Sequence, residues 1–415
     1  MKHARTILPL FALFVIVIAA LPGCRGGGAS RKPATDGVPV VRVRLVANAQ
    51  QVNLTATQPA VFRSAGESTP RRLELPAGTP VPVTLDNTGR WKIGNVVLAP
   101  GELHVQPEID GTVEVNGTAY HGHYRLVPTG DDRFDLVNHV DIESYLQGVL
   151  PRELLRDFDL EAYKAQAVAA RTYALWELQT QKSLNRHWDV WADTRSQVYG
   201  GIKAESGKAN EAVEATRGVV AAWGEAGNEK IFKAYFSACC GGIGQASPDA
   251  FGENFIPPLA DKNVGALCNI SPRYNWPVVT VGKDELTRRM RGWGASRGHA
   301  IQRIGRVERV DVSHVNRFGR PVRYLVTDAS GQQYVLGGEE TRWAINFDRG
   351  NQPQVFSSFF KPVNQASEIT FAEGRGFGHG VGLCQWCAQA MALQGVPAEE
   401  IVRRSYPTAV LVRAY

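Results

Sequence analysis

Five glycines alternate with larger residues near the C-terminus, at positions 374, 376, 378, 380 and 382. In an extended chain this spacing leaves one face without side chains, so the backbone can lie against a ligand or another strand while Arg375 and His379 point the other way. A nucleotide-binding loop is excluded, because no Lys-Ser/Thr pair follows and the spacing G-x-G-x-x-G is absent. The stretch therefore indicates a binding surface or a place of tight packing, and His379 is a groove residue or a hydrogen-bonded structural histidine.

Glu153 is a candidate for acid/base chemistry. It lies in the segment Leu-Pro-Arg-Glu-Leu-Leu at residues 150–155, between two predicted helices. Partial burial would raise the pKa of its carboxyl group and keep a proton there for donation, as a general acid requires. Judged on residue type alone, however, a glutamate is more often a solvated surface residue.

Two helices must position this glutamate. Asp141 can cap a short helix that we expect to end at Val149, ahead of Pro151, and Asp159 can cap a second helix. In that second helix, apolar residues repeat every three or four positions across residues 160–178, which is the pattern of one buried face.

The exposed side of the second helix is predicted to carry two polar rows. Lys164 and Arg171 are seven residues apart and share one face, and Gln166 and Tyr173 share another. The helix is otherwise rich in alanine, and such small side chains allow close packing.

The other elements fall into strand-rich and helix-rich blocks. Short Val/Leu runs broken by turn residues predict a β-rich N-terminal region at residues 38–139. Further helices are predicted at 207–217, 286–291, 384–393 and 398–404, strands at 219–223 and 231–236, and strand-like structure across 278–365. This segregation favours an α+β fold over a doubly wound sheet, with residues 140–415 forming a mixed helix/strand domain.

The N-terminus predicts export. Lys2 and Arg5 precede an apolar run at residues 7–21, so residues 1–23 are interpreted as a signal peptide. Leu-Pro-Gly-Cys at 21–24 resembles a bacterial lipobox, in which Cys24 is lipidated, and residues 24–37 would form a flexible tether. Plain secretion and an uncleaved anchor are the alternatives. All three place the body outside the cytoplasm.

Composition narrows the class of protein but selects no partner. With 415 residues, 44% hydrophobic and 21% charged, the chain is too long for a small disulfide scaffold and too apolar for wholesale disorder. The net charge of +6 suits nucleic acid, anionic membrane or anionic cell wall equally.

Three ordered motifs carry a family resemblance. Residues 140–153 and 161–174, the turn at 236–242 and the glycine motif at 374–385 together resemble the stage II sporulation protein D family, which includes the amidase-enhancer proteins. The resemblance implies a catalytic domain with a groove at 140–415. It implies a lytic transglycosylase acting on peptidoglycan glycan strands, with the catalytic glutamate at Glu153.

The resemblance also implies a set of substrate-binding residues: Gln166, Arg171, Tyr173, Ser237, His379 and Gln385, with Asp193, Gln197 and Tyr199 as weaker candidates. Arg171 suits a structural ion pair with a carboxylate equally well. Ser237 departs from the family, because many members carry a histidine at that position. Serine donates a hydrogen bond but holds no charge near neutral pH.

Five cysteines remain after Cys24, and an oxidising compartment favours disulfides among them. We expect Cys239 or Cys240 to pair with Cys268, with Cys384 and Cys387 as further disulfide candidates and no cofactor. Zinc is the competing interpretation. The resemblance implies it at Cys239, Cys240 and Cys268, because some relatives bind zinc near that turn. Ligand spacing suggests it at His379, Cys384 and Cys387, although Cys-x-x-Cys at the start of a helix also suits a redox pair.

Two further hypotheses compete with the enzyme. A noncatalytic, peptidoglycan-binding enhancer of a cell-wall amidase would keep the groove without the chemistry; Ser237 favours it and Glu153 argues against it. A purely structural envelope lipoprotein would not bind glycan. In all three hypotheses, the enzyme included, the lipid anchor makes the membrane a partner of the protein, and nucleic acid is not a partner.

Overall fold

A computed structural model describes residues 37–108 and 111–415. About 27% of the residues are helical and 31% lie in strands, and the strand-rich block precedes the first helix, so the predicted α+β class is confirmed. The predicted signal peptide, Cys24 and the tether up to residue 36 lie outside the described residues. No helix in the described ranges has the length and apolar character to cross a membrane.

The β-rich block alternates buried and exposed residues, as period-two patterning predicts. Its strands are β1 (Val40–Ala49), β2 (Gln51–Ala56), β3 (Ala60–Ser64), β4 (Arg71–Leu73), β5 (Val81–Leu85), β6 (Trp91–Ile93), β7 (Val96–Leu98), β8 (Leu103–Pro107), β9 (Val113–Val115), β10 (Thr118–Ala119), β11 (His123–Pro128) and β12 (Phe134–Asp141). They form most of a seven-stranded sheet, in the order β13-β1-β12-β11-β8-β3-β4, in which β13 (Val190–Trp191) comes from later in the chain. They also form a six-stranded sheet, in the order β10-β9-β2-β5-β6-β7. Phe62, Trp91, Tyr124 and Phe134 fill the core that both sheets share.

The remaining strands and the helices follow β12. The helices are α1 (Ile142–Glu153), α2 (Leu160–Ser183), α3 (Gly207–Ala215), α4 (Ser247–Phe251), α5 (Lys283–Arg297), α6 (Gly338–Asn346), α7 (Gln385–Leu393) and α8 (Ala398–Ser405). The strands are β13 (Val190–Trp191), β14 (Val219–Trp223), β15 (Lys230–Ile231), β16 (Phe236–Ser237), β17 (Val279–Gly282), β18 (Val307–Val315), β19 (Pro321–Asp328), β20 (Gln333–Gly337), β21 (Lys361–Asn364), β22 (Glu368–Ala372), β23 (Leu383–Cys384) and β24 (Val410–Arg413).

A second core surrounds α2. Its small residues are almost fully buried, which lets α1, α3, α7, α8 and β14 pack closely around it; they are Ala162, Ala165, Ala167, Ala169, Ala170 and Ala174. Both N-caps form as predicted: the Asp141 carboxylate accepts a hydrogen bond from Ser144 N at 3.0 Å, and that of Asp159 accepts one from Glu161 N at 2.9 Å.

A third core belongs to residues 276–371, here called the insertion, because they lie in sequence between parts of the second core. The insertion contains α5, α6 and two three-stranded sheets, β17-β22-β21 and β18-β19-β20. The prediction of strand-like structure across 278–365 was therefore incomplete, since α6 was missed and the basic helix runs over Lys283–Arg297.

Helix α1 and one predicted strand also differ from the prediction. Helix α1 continues through Pro151 to Glu153, because a proline in the last turn removes one donor and Leu154 N still bonds to Leu150 O at 2.9 Å. The strand expected at 231–236 is only a pair of short segments, β15 and β16.

Candidate functional site

A cleft of about 720 Å³ has one wall from the second core and another from the insertion. This volume lies in the range of small-molecule and oligosaccharide-sized sites. The first wall consists of Glu153, Tyr173, Lys233 and the loop 194–198. The base consists of residues 235–238 and 377–379, and the second wall consists of Arg297, Glu339, Arg342 and Trp343.

Glu153 reaches the cleft as the last residue of α1. Its carboxyl group is half-buried, and its Oε1 accepts a hydrogen bond from Val198 N at 2.9 Å. Burial raises the pKa of this carboxyl group, and the Val198 hydrogen bond opposes the shift without cancelling it. The extension of α1 past Pro151 is what places this group in the wall.

Glu339 is the second carboxylate in the cleft, and its environment is different. It is fully buried and pairs with Arg342 at 2.6 Å, while Ser358 Oγ donates to its other oxygen at 2.9 Å. Burial alone would raise the pKa of Glu339, but the positive charges around it, with Arg342 the largest contributor and Arg320 another, together outweigh burial, and the pKa is lowered. The cleft therefore combines one carboxyl group that favours its proton with one that remains ionised.

Tyr173 lies in the wall beside Lys233, a partly buried cation. Lys233 Nζ lies 5.5 Å from the centroid of the Tyr173 ring and 5.2 Å from that of Tyr235, and it pairs with Glu177 at 3.0 Å. Burial raises the pKa of Tyr173, so its hydroxyl group stays protonated. This arrangement holds a hydroxyl donor in the same wall as Glu153.

His379 and Ser237 occupy the base of the cleft. The His379 ring packs edge-on against Phe251 and Tyr235, and its Nδ1 accepts from Val381 N at 3.0 Å. Burial lowers the pKa of His379 to about 4, so the ring is neutral near pH 7 with its proton on Nε2. Ser237 Oγ accepts from Gly380 N at 3.1 Å, which ties the two segments together.

The glycine motif is not an extended strand, which corrects the prediction. Positive φ values recur along it, with +78° at Gly376 and +93° at Gly378. A Cβ atom at Gly376 would lie 2.6 Å from Cys239 O, and one at Gly378 would lie 2.9 Å from the Ser237 Cβ. The predicted close backbone approach therefore exists, but it is made to the turn at 236–242, which the motif holds in place.

Three predicted groove residues lie outside the cleft lining. Arg171 is fully buried and forms a bidentate pair with Glu143, with Nη2 to Oε2 at 2.6 Å and Nε to Oε1 at 3.2 Å, so the structure gives it the structural role that was its alternative. Gln166 and Gln385 are also buried. The predicted exposed rows on α2 were wrong, because the helix is enclosed by the elements of the second core.

The three weaker candidates support the site indirectly or not at all. Asp193 pairs with Arg195 at 2.6 Å. Gln197 is buried and bonds to Ala170 O at 3.3 Å, and the ring of Tyr199 packs so closely on Gly148 that a Cβ there would lie 2.6 Å from it. Their loop nonetheless supplies Val198, which holds Glu153.

The cysteines depart from the disulfide expectation. All five described cysteines are free and buried, and four of them converge: Cys240, Cys268, Cys384 and Cys387. Cys239 lies outside that group. The Cys240 and Cys268 sulfurs are 3.7 Å apart, well beyond the S–S bond length of about 2.05 Å. These residues, rather than either set expected from the sequence, could hold a metal.

Sequence reasoning missed the second wall entirely. Glu339, Arg342 and Trp343 lie at i, i+3 and i+4 on α6, a helical spacing that could have signalled both the helix and the Glu-Arg pair. Arg297 ends α5 and carried no comparable signal.

Sequence comparison relates this chain to known proteins. Residues 130–223, which contain α1, α2 and Glu153, match the family described as stage II sporulation protein. An uncharacterized protein of Brachyspira hyodysenteriae is 29% identical over 70% of this chain and 72% of its own length. The amidase enhancer of Bacillus subtilis is 24% identical over 78% of this chain but only 49% of its own length.

The stage II sporulation protein D of Bacillus subtilis is 26% identical over 65% of this chain and 74% of its own length. Its similarity and that of the amidase enhancer extend well beyond the segment that the family model matches. The chain therefore contains a region at residues 130–223 that matches the stage II sporulation protein family, and over a longer stretch it is similar to stage II sporulation protein D and the amidase enhancer.

Proposed function

We propose that the protein is a lytic transglycosylase that cleaves the β-1,4 bond between N-acetylmuramic acid and N-acetylglucosamine in peptidoglycan. The observation that carries the proposal is the Glu153 carboxyl group, half-buried in the cleft wall with a raised pKa and no cation paired to it in the described ranges. The relatives support a cell-wall related function outside the cytoplasm.

One carboxyl group is enough for this reaction. Protonated Glu153 donates its proton to the glycosidic oxygen as the bond breaks, and the resulting carboxylate accepts the proton of the muramyl 6-hydroxyl as that oxygen attacks the anomeric carbon. The product is a 1,6-anhydro sugar, and no water is consumed. Because its pKa is lowered, Glu339 stays an anion and has no proton to donate.

The cleft offers surfaces that suit a glycan strand. Phe377 and Trp343 are 38% and 39% exposed at its base and second wall, so apolar ring faces are open to the C–H faces of sugar rings. Arg297 is exposed beside them and makes no ion pair with any described residue. It can pair with the lactyl carboxylate of a muramic acid that lacks its stem peptide.

A second candidate function is a noncatalytic enhancer of a cell-wall amidase. Ser237 favours it, because the family's histidine is absent from the base of the cleft. The name of the Bacillus subtilis relative, amidase enhancer, favours it too. In either function we propose that lipidated Cys24 anchors the body to a membrane facing the periplasm or cell wall.

Product analysis separates these functions. Glycan strands without stem peptides are incubated with the wild type, with Glu153→Gln and with Glu211→Gln, which changes an exposed carboxylate on α3 outside the cleft. We expect anhydro-muramyl ends, detected by mass spectrometry, from the wild type and Glu211→Gln alone. Products that incorporate oxygen from heavy-oxygen water would instead indicate hydrolysis.

Cosedimentation with insoluble peptidoglycan completes the test. Binding by all three proteins without any product would support the amidase enhancer. Absence of both binding and product would support the purely structural lipoprotein.

A further inference from the structure

The four converging cysteines, here called the cysteine cluster, come from three separate segments of the chain. Cys240 lies in the turn after β16, Cys268 in the loop before β17, and Cys384 and Cys387 at the start of α7. Their sulfur atoms all lie within 4.8 Å of one another, and all four residues are buried.

The distances fit one metal ion better than two disulfides. Cys240 Sγ is 3.7 Å from Cys268 Sγ and 3.8 Å from Cys387 Sγ, so it is nearly equidistant from two partners and paired with neither. Four sulfurs at about 2.3 Å from a central ion in tetrahedral geometry are about 3.8 Å apart. We propose that the cysteine cluster binds one zinc ion as a closed, four-thiolate structural site.

The surroundings suit the charge of such a site. Zn²⁺ with four thiolates carries a net charge of about −2, and thiols that begin protonated release their four protons on binding. Backbone N–H groups of Cys240 and Cys387 point at Cys384 Sγ at 3.3 and 3.4 Å, which stabilises a thiolate.

Two cations lie beside the cluster. Lys262 lines the same small pocket as Cys384 and Cys387. Arg320 is fully buried, donates to Cys240 O at 3.1 Å, and has no direct ion pair with the described acidic residues. An anionic metal site at this position offsets a buried positive charge that otherwise lacks a direct partner.

The position of the cluster indicates a structural role beneath the cleft. Ser237 and Cys384 are register partners in the parallel pair β16–β23, and Cys240 follows Ser237 by three residues. A metal bound by Cys240 and Cys384 therefore fixes the segments that carry Ser237 and His379. The inference stands whether or not the proposed reaction is correct, because it concerns only metal binding and folding.

Metal content of the full chain, purified without chelator, tests the proposal. We expect one zinc per chain by mass spectrometry of the elements, loss of the zinc in Cys268→Ser and Cys387→Ser, and full zinc in Cys239→Ser. Cys239→Ser is the matched control, because Cys239 is a buried cysteine adjacent to Cys240 but outside the cluster. Zinc loss from the control alone, stoichiometric iron, or no metal would overturn the assignment.

A second measurement avoids variants that fail to fold. X-ray absorption at the zinc edge of the wild type should give four sulfur ligands at about 2.3 Å. The denatured, non-reduced chain should have a mass that matches free thiols at all four positions. Nitrogen or oxygen ligands, or a mass lighter by the hydrogens lost in disulfides that peptide mapping assigns to the cluster, would contradict the proposal.

Discussion

Val198 N donates a hydrogen bond to Glu153 Oε1 at 2.9 Å, joining two residues 45 positions apart. Helix α1 delivers the carboxyl group, and the loop after β13 fixes its orientation. No other hydrogen bond to this carboxyl group is formed within the described part of the chain, so Oε2 is available to a substrate.

The raised pKa of Glu153 predicts a pH-dependent stability difference. The folded site favours the protonated carboxyl group, so its contribution to stability is complete below the ordinary glutamate pKa of 4.5 and is lost as the pH rises through the raised pKa. Glu153→Gln cannot ionise. We therefore expect the variant to gain stability relative to wild type as the pH rises. In denaturant titrations, its free energy of unfolding minus that of wild type should increase from about pH 4 to about pH 8. Parallel pH profiles would contradict the buried acid, and Glu211→Gln serves as the exposed control.

The buried pair between Arg171 and Glu143 predicts a large loss of stability on disruption. Glu143 also accepts from Gly218 N at 3.0 Å and Tyr415 Oη at 2.6 Å, so removing the arginine leaves a buried charge with only neutral partners. We expect Arg171→Met to lower the free energy of unfolding by about 3–5 kcal/mol. As a control, breaking the exposed Arg403–Glu399 pair should change the free energy of unfolding by less than about 1 kcal/mol. A near-neutral Arg171→Met would argue against the structural role.

Arg297 predicts a salt-sensitive effect on substrate affinity. If it pairs with a lactyl carboxylate at the cleft surface, Arg297→Gln loses about 1 kcal/mol of binding, or about fivefold in KM, with kcat retained. Steady-state kinetics on strands without stem peptides measures this, and added salt should shrink the difference. Arg303→Gln removes an exposed charge elsewhere in the insertion. Equal KM values for both variants would remove Arg297 from the binding site.

Local signals were sufficient to predict where α1 and α2 begin. Each helix follows an aspartate whose carboxylate accepts a hydrogen bond from a backbone N–H two or three residues later. Such a cap depends only on neighbouring residues, so it can be recognised in the sequence. The end of α1 was predicted wrongly because Pro151 was taken as a stop. In the last turn a proline removes only one donor, and the helix continues to the residue on which the proposed chemistry depends.

Contacts over long sequence separation could not be predicted in the same way. The Arg171–Glu143 pair, the Val198 hydrogen bond and the cysteine cluster join residues 28 to 147 positions apart, and no periodicity encodes such distances. The glycine motif was misjudged for a related reason. Its period of two matches a strand, but it arises here from alternating positive φ values that pack the backbone on the turn at 236–242.

The central claim is that Glu153 supplies the proton that breaks the glycosidic bond, and the initial rate of anhydro-muramyl end formation tests it most directly. With saturating glycan strands at neutral pH, Glu153→Gln should be slower than wild type by at least about 100-fold, while Glu211→Gln remains within about twofold. A Glu153→Gln enzyme that forms these ends at a rate close to wild type would contradict the account.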